Sequence, residues 1–520
     1  MTAAAEAKLG TSADSESDSE SAPRLAALLD RPLASFHLIL VTTGLLTVIG
    51  MVMVLSASSI DSITLTHSAF SVFKKQLMWV VLGAPIFWLG VRLPPRAYRR
   101  LAYPALILSF VGLLAVLVPG VGLLVSGARR WIDIGPLQLQ PSEPAKLALA
   151  LWGADLLVRK EKLCGQMRHL LIPLVPVATA AAALIMLEPD LGTTMCVVLV
   201  LFGLLWTVGA PLRLFGMIVG GAAAVVVALI IREPYRLARL TSFLHPASDA
   251  SGNGYQAVRG LQALGSGGWL GVGLGQSRFK WGLLPNAHTD YIFAIVGEEL
   301  GLLGCLLVLA LFAVLAYSGL RIARRTTDPF VRLASASVTI WLTGQALINI
   351  GYVTGMLPVT GIPLPLISFG GTSLIATLFG LGMLASFARH EPEAVASLQK
   401  KGRSRSARLF LLPVPDLGYL TPVRKRPRRS RPPVPAPRRA DGPATRRGAQ
   451  PPAARTKAAQ PGKAAQPGKA ARSGRTAQAG GTQQSGARRS TGAERSRARR
   501  TVPNPPPKGN RTGTDGGRRR

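Results

Sequence analysis

The chain has 520 residues, is 48% hydrophobic with a mean hydropathy of +0.31, and carries a formal net charge of +35. Its three cysteines, Cys164, Cys196 and Cys305, show neither metal-ligand spacing nor an evident pairing, which argues against a disulfide framework and a zinc site. The averages conceal three compositions: polar and acidic over 1–35, apolar over 36–390, and Arg/Pro/Ala/Gly-rich over 391–520.

The N-terminal stretch holds Asp14, Glu16, Asp18 and Glu20 among serines, and the first apolar run begins only near Phe36. That order is not the pattern of a cleavable secretory signal, so the run reads as a signal-anchor first span. About ten runs are long enough to cross a ~30 Å hydrocarbon core as helices. They lie near 36–56, 76–93, 102–124, 143–158, 170–187, 192–210, 214–231, 291–318, 331–357 and 372–388. The expected fold is therefore an all-α polytopic membrane protein.

Basic residues of short loops orient such a chain. Arg92, Arg96, Arg99 and Arg100, then Arg159, Lys160, Lys162 and Arg168, then Arg213, then Arg321, Arg324 and Arg325 fall on one side if both termini are cytoplasmic. This leaves a large outer loop, 232–290, between spans seven and eight. It also leaves Arg129, Arg130, Arg232, Arg236, Arg239, Arg259, Arg278 and Lys280 on the outer face. Long loops escape the charge rule; Arg129 and Arg130, in a short loop, are better explained by something anionic that they meet.

Four outer clusters could carry chemistry. The first runs from Arg129-Arg130-Trp131 to Gln140-Pro141-Ser142-Glu143-Pro144-Ala145-Lys146. Ser142 is placed to cap a helix with Pro144 in its first turn, and Glu143 and Lys146 share a helix face. A local ion pair accounts for them as well as a binding site does, although a cation inside an apolar span needs an anionic partner. The second is Glu188-Pro189-Asp190-Leu191-Gly192-Thr193, where two carboxylates could hold a divalent cation such as magnesium or manganese, or pair with the outer arginines. Ordinary capping by Asp190 and Thr193 explains it equally.

The third cluster is the large loop, with Arg236, Arg239, Gln256, the glycine-dense segment 265–277, Lys280 and then His288-Thr289-Asp290. Its glycines permit tight turns, but no strand precedes them, so they are not a nucleotide fingerprint. Asp290 stands where this polar loop enters an apolar helix, a costly place for an ionisable group; an acid favoured by the helix dipole is the plainer account. The fourth cluster pairs Gln345 and Asn349, four apart on one helix face, with the Pro/Gly-rich segment 358–371 that includes Ser368. Non-helical backbone at that depth is tolerated only inside protein or along a wet cavity.

Taken together, these segments resemble the SEDS family (shape, elongation, division and sporulation proteins) over about residues 36–390. The segment 284–301 around His288-Thr289-Asp290 and the segment 358–371 carry the resemblance most specifically. Ser56-Ala57-Ser58-Ser59, the stretch from Ser71 to Leu77 and the long charged termini make it most similar to the FtsW branch, the cell-division members. The resemblance implies about ten spans and a peptidoglycan glycosyltransferase that polymerises lipid II at the outer face of the cytoplasmic membrane, beside a class B penicillin-binding transpeptidase at the septum. It implies Asp290 as the catalytic acid–base residue, and Arg130, Lys146, Arg236 and Arg239 on charged positions of the family's motifs. Lys280, His288, Thr289, Gln345, Asn349 and Ser368 join them as substrate-binding candidates, with Trp131, Glu143, Glu188, Asp190 and Gln256 in support. Two residues depart from the family's usual pattern: Asn286 stands where Glu is frequent, and Tyr291 where Phe is.

Two other classes stay open at this level. Buried Glu143, Lys146, Gln345 and Asn349 would also suit a lipid II flippase, and a non-catalytic scaffold of the division machinery would use the tail as its docking arm. That tail, with 32 Lys/Arg against 6 Asp/Glu, holds +26 of the net charge and is expected to be disordered. Anionic lipid headgroups or other division proteins are its expected partners; with almost no aromatics it is poorly equipped for specific nucleic-acid recognition.

Overall fold

A computed structural model describes residues 30–125, 127–135, 137–160, 171–232, 243, 254–401, 412, 413 and 415. The segment up to residue 29, Arg236, Arg239 and nearly all of the basic tail lie outside the described residues.

Every apolar run is a helix. In chain order these are α1 (Ala34–Thr66), α2 (Ser71–Arg92), α3 (Pro95–Leu117), α4 (Ser142–Arg159), α5 (Leu174–Leu187), α6 (Leu191–Val208) and α7 (Leu212–Arg232). A short α8 (Tyr255–Ser266) follows, then α9 (Ile292–Arg325), α10 (Pro329–Val353), α11 (Gly371–Arg389) and the short α12 (Pro392–Lys401). Among the described residues seven of them, α1, α2, α3, α6, α9, α10 and α11, are long and apolar enough to cross a bilayer unaided. The chain is a multi-pass membrane protein.

Local signals start and stop these helices where physics expects. Pro95 opens α3 and Pro329 opens α10, where a missing N–H costs nothing. Asp328 caps α10 by accepting from Phe330 N at 2.9 Å, and Gly209 ends α6 in a left-handed conformation.

The charge-bearing α4 lies at the centre. It packs against α3, α6, α10 and α11, and from Ser142 to Leu157 only Pro144 escapes burial. Its cytoplasmic-end acid, Asp155, is fully buried between Arg99 Nε at 3.0 Å and Arg159 Nε at 2.6 Å. Charges that no lipid-facing helix could carry are thus kept inside protein, paired. Arg325 reaches Asp30 at 3.4 Å and Glu393 at 2.8 Å, so both ends of the helical unit meet at one end of the bundle.

The helical fold is as expected and carries one small addition: β1 (Gly122–Val125), β2 (Ala128–Ile134) and β3 (Leu137–Leu139) form an antiparallel sheet, with a register shift between Leu123 and Leu124. Two expectations need correction. The third span therefore ends at Leu117 and not at 124, because Pro119 and Gly120 turn the chain before the apolar residues resume as a strand. Ser142 does not cap α4; it is the first helical residue after Pro141, and its buried hydroxyl finds no partner among the described residues.

At 34 residues α9 would be roughly 50 Å long if continuous, far more than a bilayer needs. It is broken at Gly301, whose φ of 68° and ψ of −165° are closed to residues with a side chain. Main chain of the outer loop docks at the break: Leu302 N donates to Gly268 O at 2.9 Å, and Val272 N to Glu298 O at 2.9 Å. A Cβ at Gly301 would fall on the backbone of Trp269 and Gly271, which cannot move aside cheaply. Gly301→Ala is therefore expected to cost about 1–3 kcal/mol from overpacking alone. Thermal unfolding in detergent checks this, with Gly44→Ala, which meets open space on a lipid-facing turn of α1, as the control.

Candidate active site

Asp290 sits two residues before α9, partly buried, on backbone clamped from two sides. Its carbonyl accepts from Asn349 Nδ2 at 2.9 Å and from Tyr352 Oη at 2.8 Å, one turn apart on α10. The same two side chains also hold Ile362 O, at 2.7 and 2.8 Å. Two residues upstream, Phe369 N donates to His288 O at 3.0 Å. The Asp290 turn and the Pro/Gly-rich segment are thereby fastened to one another and to α10. Gly361, at φ 71°, brings that segment's backbone beside the carboxylate; a Cβ there would stand 3.5 Å from Asp290 Oδ2. Burial, and then the negative charge of Asp190, push the Asp290 carboxyl up to about 6, while the Arg130 guanidinium opposes them.

Those neighbours come from two other elements. Asp190 caps α6, accepting from Thr193 N and Thr193 Oγ1 at 2.9 Å, and Gln140 Nε2 reaches it at 3.3 Å. Asp190 is thus the cap that ordinary turn chemistry expects, and its charge also acts on Asp290. Arg130, on β2, donates from Nε to Glu188 O at 3.0 Å and from Nη2 to Pro189 O. A guanidinium has five N–H donors, so these bonds fix Arg130 without neutralising it.

The two lysines are situated otherwise. Lys146 is 1% exposed, 2.9 Å from Glu143 Oε1, 3.3 Å from Gln345 Oε1 and over the Trp341 ring. Gln345 in turn donates to Pro363 O at 2.9 Å, which ties the ion pair to the Pro/Gly-rich segment. Lys280 lies 3.6 Å from Glu299 and donates to Gly275 O at 2.6 Å and Ser56 Oγ at 3.3 Å. Each lysine is buried against a carboxylate of its own, so neither offers its charge to a ligand as freely as Arg130 does.

The remaining candidates divide similarly. His288 faces Asp61 at 3.5 Å and stacks edge-on against Phe369, and burial lowers its pKa. Thr289 Oγ1 donates to Asn286 O at 3.2 Å, and buried Ser368 accepts from Leu364 N at 2.8 Å, so both shape their loops. Trp131 lies on β2 and Gln256 on α8, both partly buried. Sequence reasoning missed Tyr352, whose position three after Asn349 was the available signal. It also missed Glu298, which accepts from Ser277 Oγ and Arg278 N, and Gln140. Among the described residues no group of three or more His, Cys, Asp or Glu is placed to hold a metal ion.

An acid with a raised pKa on rigid backbone, beside a fixed and unneutralised guanidinium, can take a proton from a hydroxyl while a neighbouring anion is held. A family model described as cell cycle protein, FTSW_RODA_SPOVE, matches residues 36–393. The chain is 48% identical over 402 residues to the probable peptidoglycan glycosyltransferase FtsW of Mycobacterium tuberculosis, covering 77% of this chain and 76% of that protein. It is 37% identical over 353 residues to stage V sporulation protein E of Bacillus subtilis, covering 68% and 96%. Among solved structures, it resembles a chain of a peptidoglycan synthase complex described as coordinating polymerization and crosslinking, with TM-score 0.57, 28% identity, and coverage of 68% and 97%. The rod shape determining protein RodA of Thermus thermophilus matches with TM-score 0.51, 28% identity, and coverage of 68% and 96%.

Proposed function

The chain belongs to the FtsW/RodA/SpoVE family, within which it is most like FtsW, and on that premise we propose that it is a peptidoglycan glycosyltransferase polymerising lipid II during septal wall synthesis. The observation that carries the chemistry is Asp290, a carboxylate on immobilised backbone within the field of Arg130.

Asp290 removes the proton from the acceptor sugar's 4-hydroxyl as that oxygen attacks the donor's anomeric carbon. The new glycosidic bond forms as the bond to the polyprenyl pyrophosphate breaks, and the departing oxygens take the developing negative charge. Arg130 is placed to stabilise that charge, and guanidinium suits phosphate oxygens bidentately. Arg236 and Arg239 are assigned to the same task by the sequence alone. Lys146 and Lys280 act through packing: their ion pairs hold the Pro/Gly-rich segment and the outer loop that frame the acid. A class B transpeptidase is the proposed partner, in keeping with the crosslinking complex among the structural relatives, and the basic tail is proposed to meet anionic lipid or other division proteins.

Purified protein, combined with its transpeptidase and lipid II, is expected to yield glycan chains resolvable by electrophoresis. No polymer, with labelled lipid II nevertheless crossing vesicle bilayers, would replace the enzyme by a flippase.

A further inference from the structure

Glu188 closes α5, in the turn that holds Arg130. It is 0% exposed, and among the described residues neither carboxyl oxygen has a hydrogen-bond partner. That is an expensive arrangement for a charged group. Its carbonyl, and that of Pro189, are the two acceptors on which Arg130 rests. The charged groups that face it are Arg130 from β2 and Asp190 from its own turn. Through Asp190 the field extends to Asp290 before α9 and Lys146 on α4, while the other neighbours of Asp190, Thr193 of α6 and Gln140, are neutral.

We infer that Glu188 is a positioning residue that works with its proton on: as a neutral acid it leaves Arg130 on the two turn carbonyls, and on ionising it captures the guanidinium as an ion pair and withdraws it from the site. This rests on the glycosyltransferase reading above. A carboxylate sets a full negative charge opposite the guanidinium and can accept two parallel N–H bonds from it, so a bare Glu188 carboxylate outcompetes neutral carbonyl oxygens for the same cation. Burial, with Asp190 adding and Arg130 opposing, raises the Glu188 carboxyl to about 8. The proton is therefore on below that value and lost above it, so Arg130 is available near neutrality and sequestered in alkali.

Lipid II polymerisation by the wild type, Glu188→Gln and Glu188→Ala, each with the transpeptidase, tests this across pH. The wild-type kcat/KM is expected to fall about tenfold per pH unit above the Glu188 pKa. Glu188→Gln, which mimics the protonated acid, is expected to be active at neutral pH and to lack that fall. Glu188→Ala leaves a void beside Arg130 and is expected to lose activity at every pH. A folded but inactive Glu188→Gln, or one that keeps the same alkaline fall, overturns the inference. An infrared titration supplies a readout independent of turnover: a carboxylic acid C=O band present in the wild type, absent from Glu188→Gln and vanishing as pH rises through about 8. Absence of that band overturns the protonated acid whatever the activity. A titrating band with no polymer from the wild type at any pH supports the protonated acid and sinks the glycosyltransferase reading alone.

Discussion

Asp290→Asn is expected to slow glycan polymerisation by about 10²–10⁴-fold, the range a positioned general base contributes, with folding unchanged. The substitution is clean because the structural bonds of this residue run through its carbonyl, to Asn349 and Tyr352, and survive the change. Among the described residues the carboxyl itself faces Gly361, Asp190 and Arg130 and lies near the Tyr291 and Tyr352 phenols, with no hydrogen bond to any of them that folding relies on. The loss should appear in kcat with saturating lipid II; near-normal kcat in a monodisperse preparation would remove Asp290 from the chemistry. The pH dependence has a definite sign. A base must be ionised, and the Asp290 carboxyl is raised to about 6. On this group alone, activity is therefore full above that value, up to the alkaline fall ascribed to Glu188, and falls as pH drops through it. Arg130→Gln removes the cation that opposes the rise, so the residual activity of that variant should show its acid limb at higher pH. A limb that stays put would mean that Arg130 does not act on Asp290.

Lys146→Met is expected to destabilise the protein by about 3–5 kcal/mol, because it leaves the Glu143 carboxylate buried without its counter-charge. Among the described residues Glu143 Oε2 already lacks a partner, so removing the ammonium at Oε1 strands the whole group. Glu143→Gln combined with Lys146→Met should recover most of the loss, since no charge then remains to be compensated. Thermal unfolding of the four proteins in one detergent closes the cycle. Equal destabilisation of single and double variants would place the cost in packing around Trp341 and Gln345, not in the charge.

Much of the frame was legible beforehand. The ten runs, the basic loops and the 143–146 pair follow from rules that act within a few residues: hydrocarbon demands about 20 apolar residues per span, and residues three apart on a helix meet. The failures came where local signals were ambiguous. The apolar residues 122–125 continue the hydropathy of α3, so only Pro119 and Gly120 marked the change from helix to strand. Ser142 had the right type for a cap, but Pro141 took that place. The partners of Lys280 were hidden for a different reason. Lys280 meets Glu299 and Ser56 only because α9 breaks at Gly301 and the loop docks there, a contact that no spacing along the chain announces.

The sequence by itself determined the apolar helices, the charged loops at their ends and the acid at the mouth of α9, because hydrophobicity and charge density are properties of short windows. Only the tertiary structure decided which charges are free to act. Lys146 and Lys280 are neutralised by buried carboxylates, whereas Arg130 is fixed by carbonyl oxygens and keeps its charge. That difference is set by partners brought together from distant elements, and a charge is worth most to a ligand where the fold has positioned it without cancelling it.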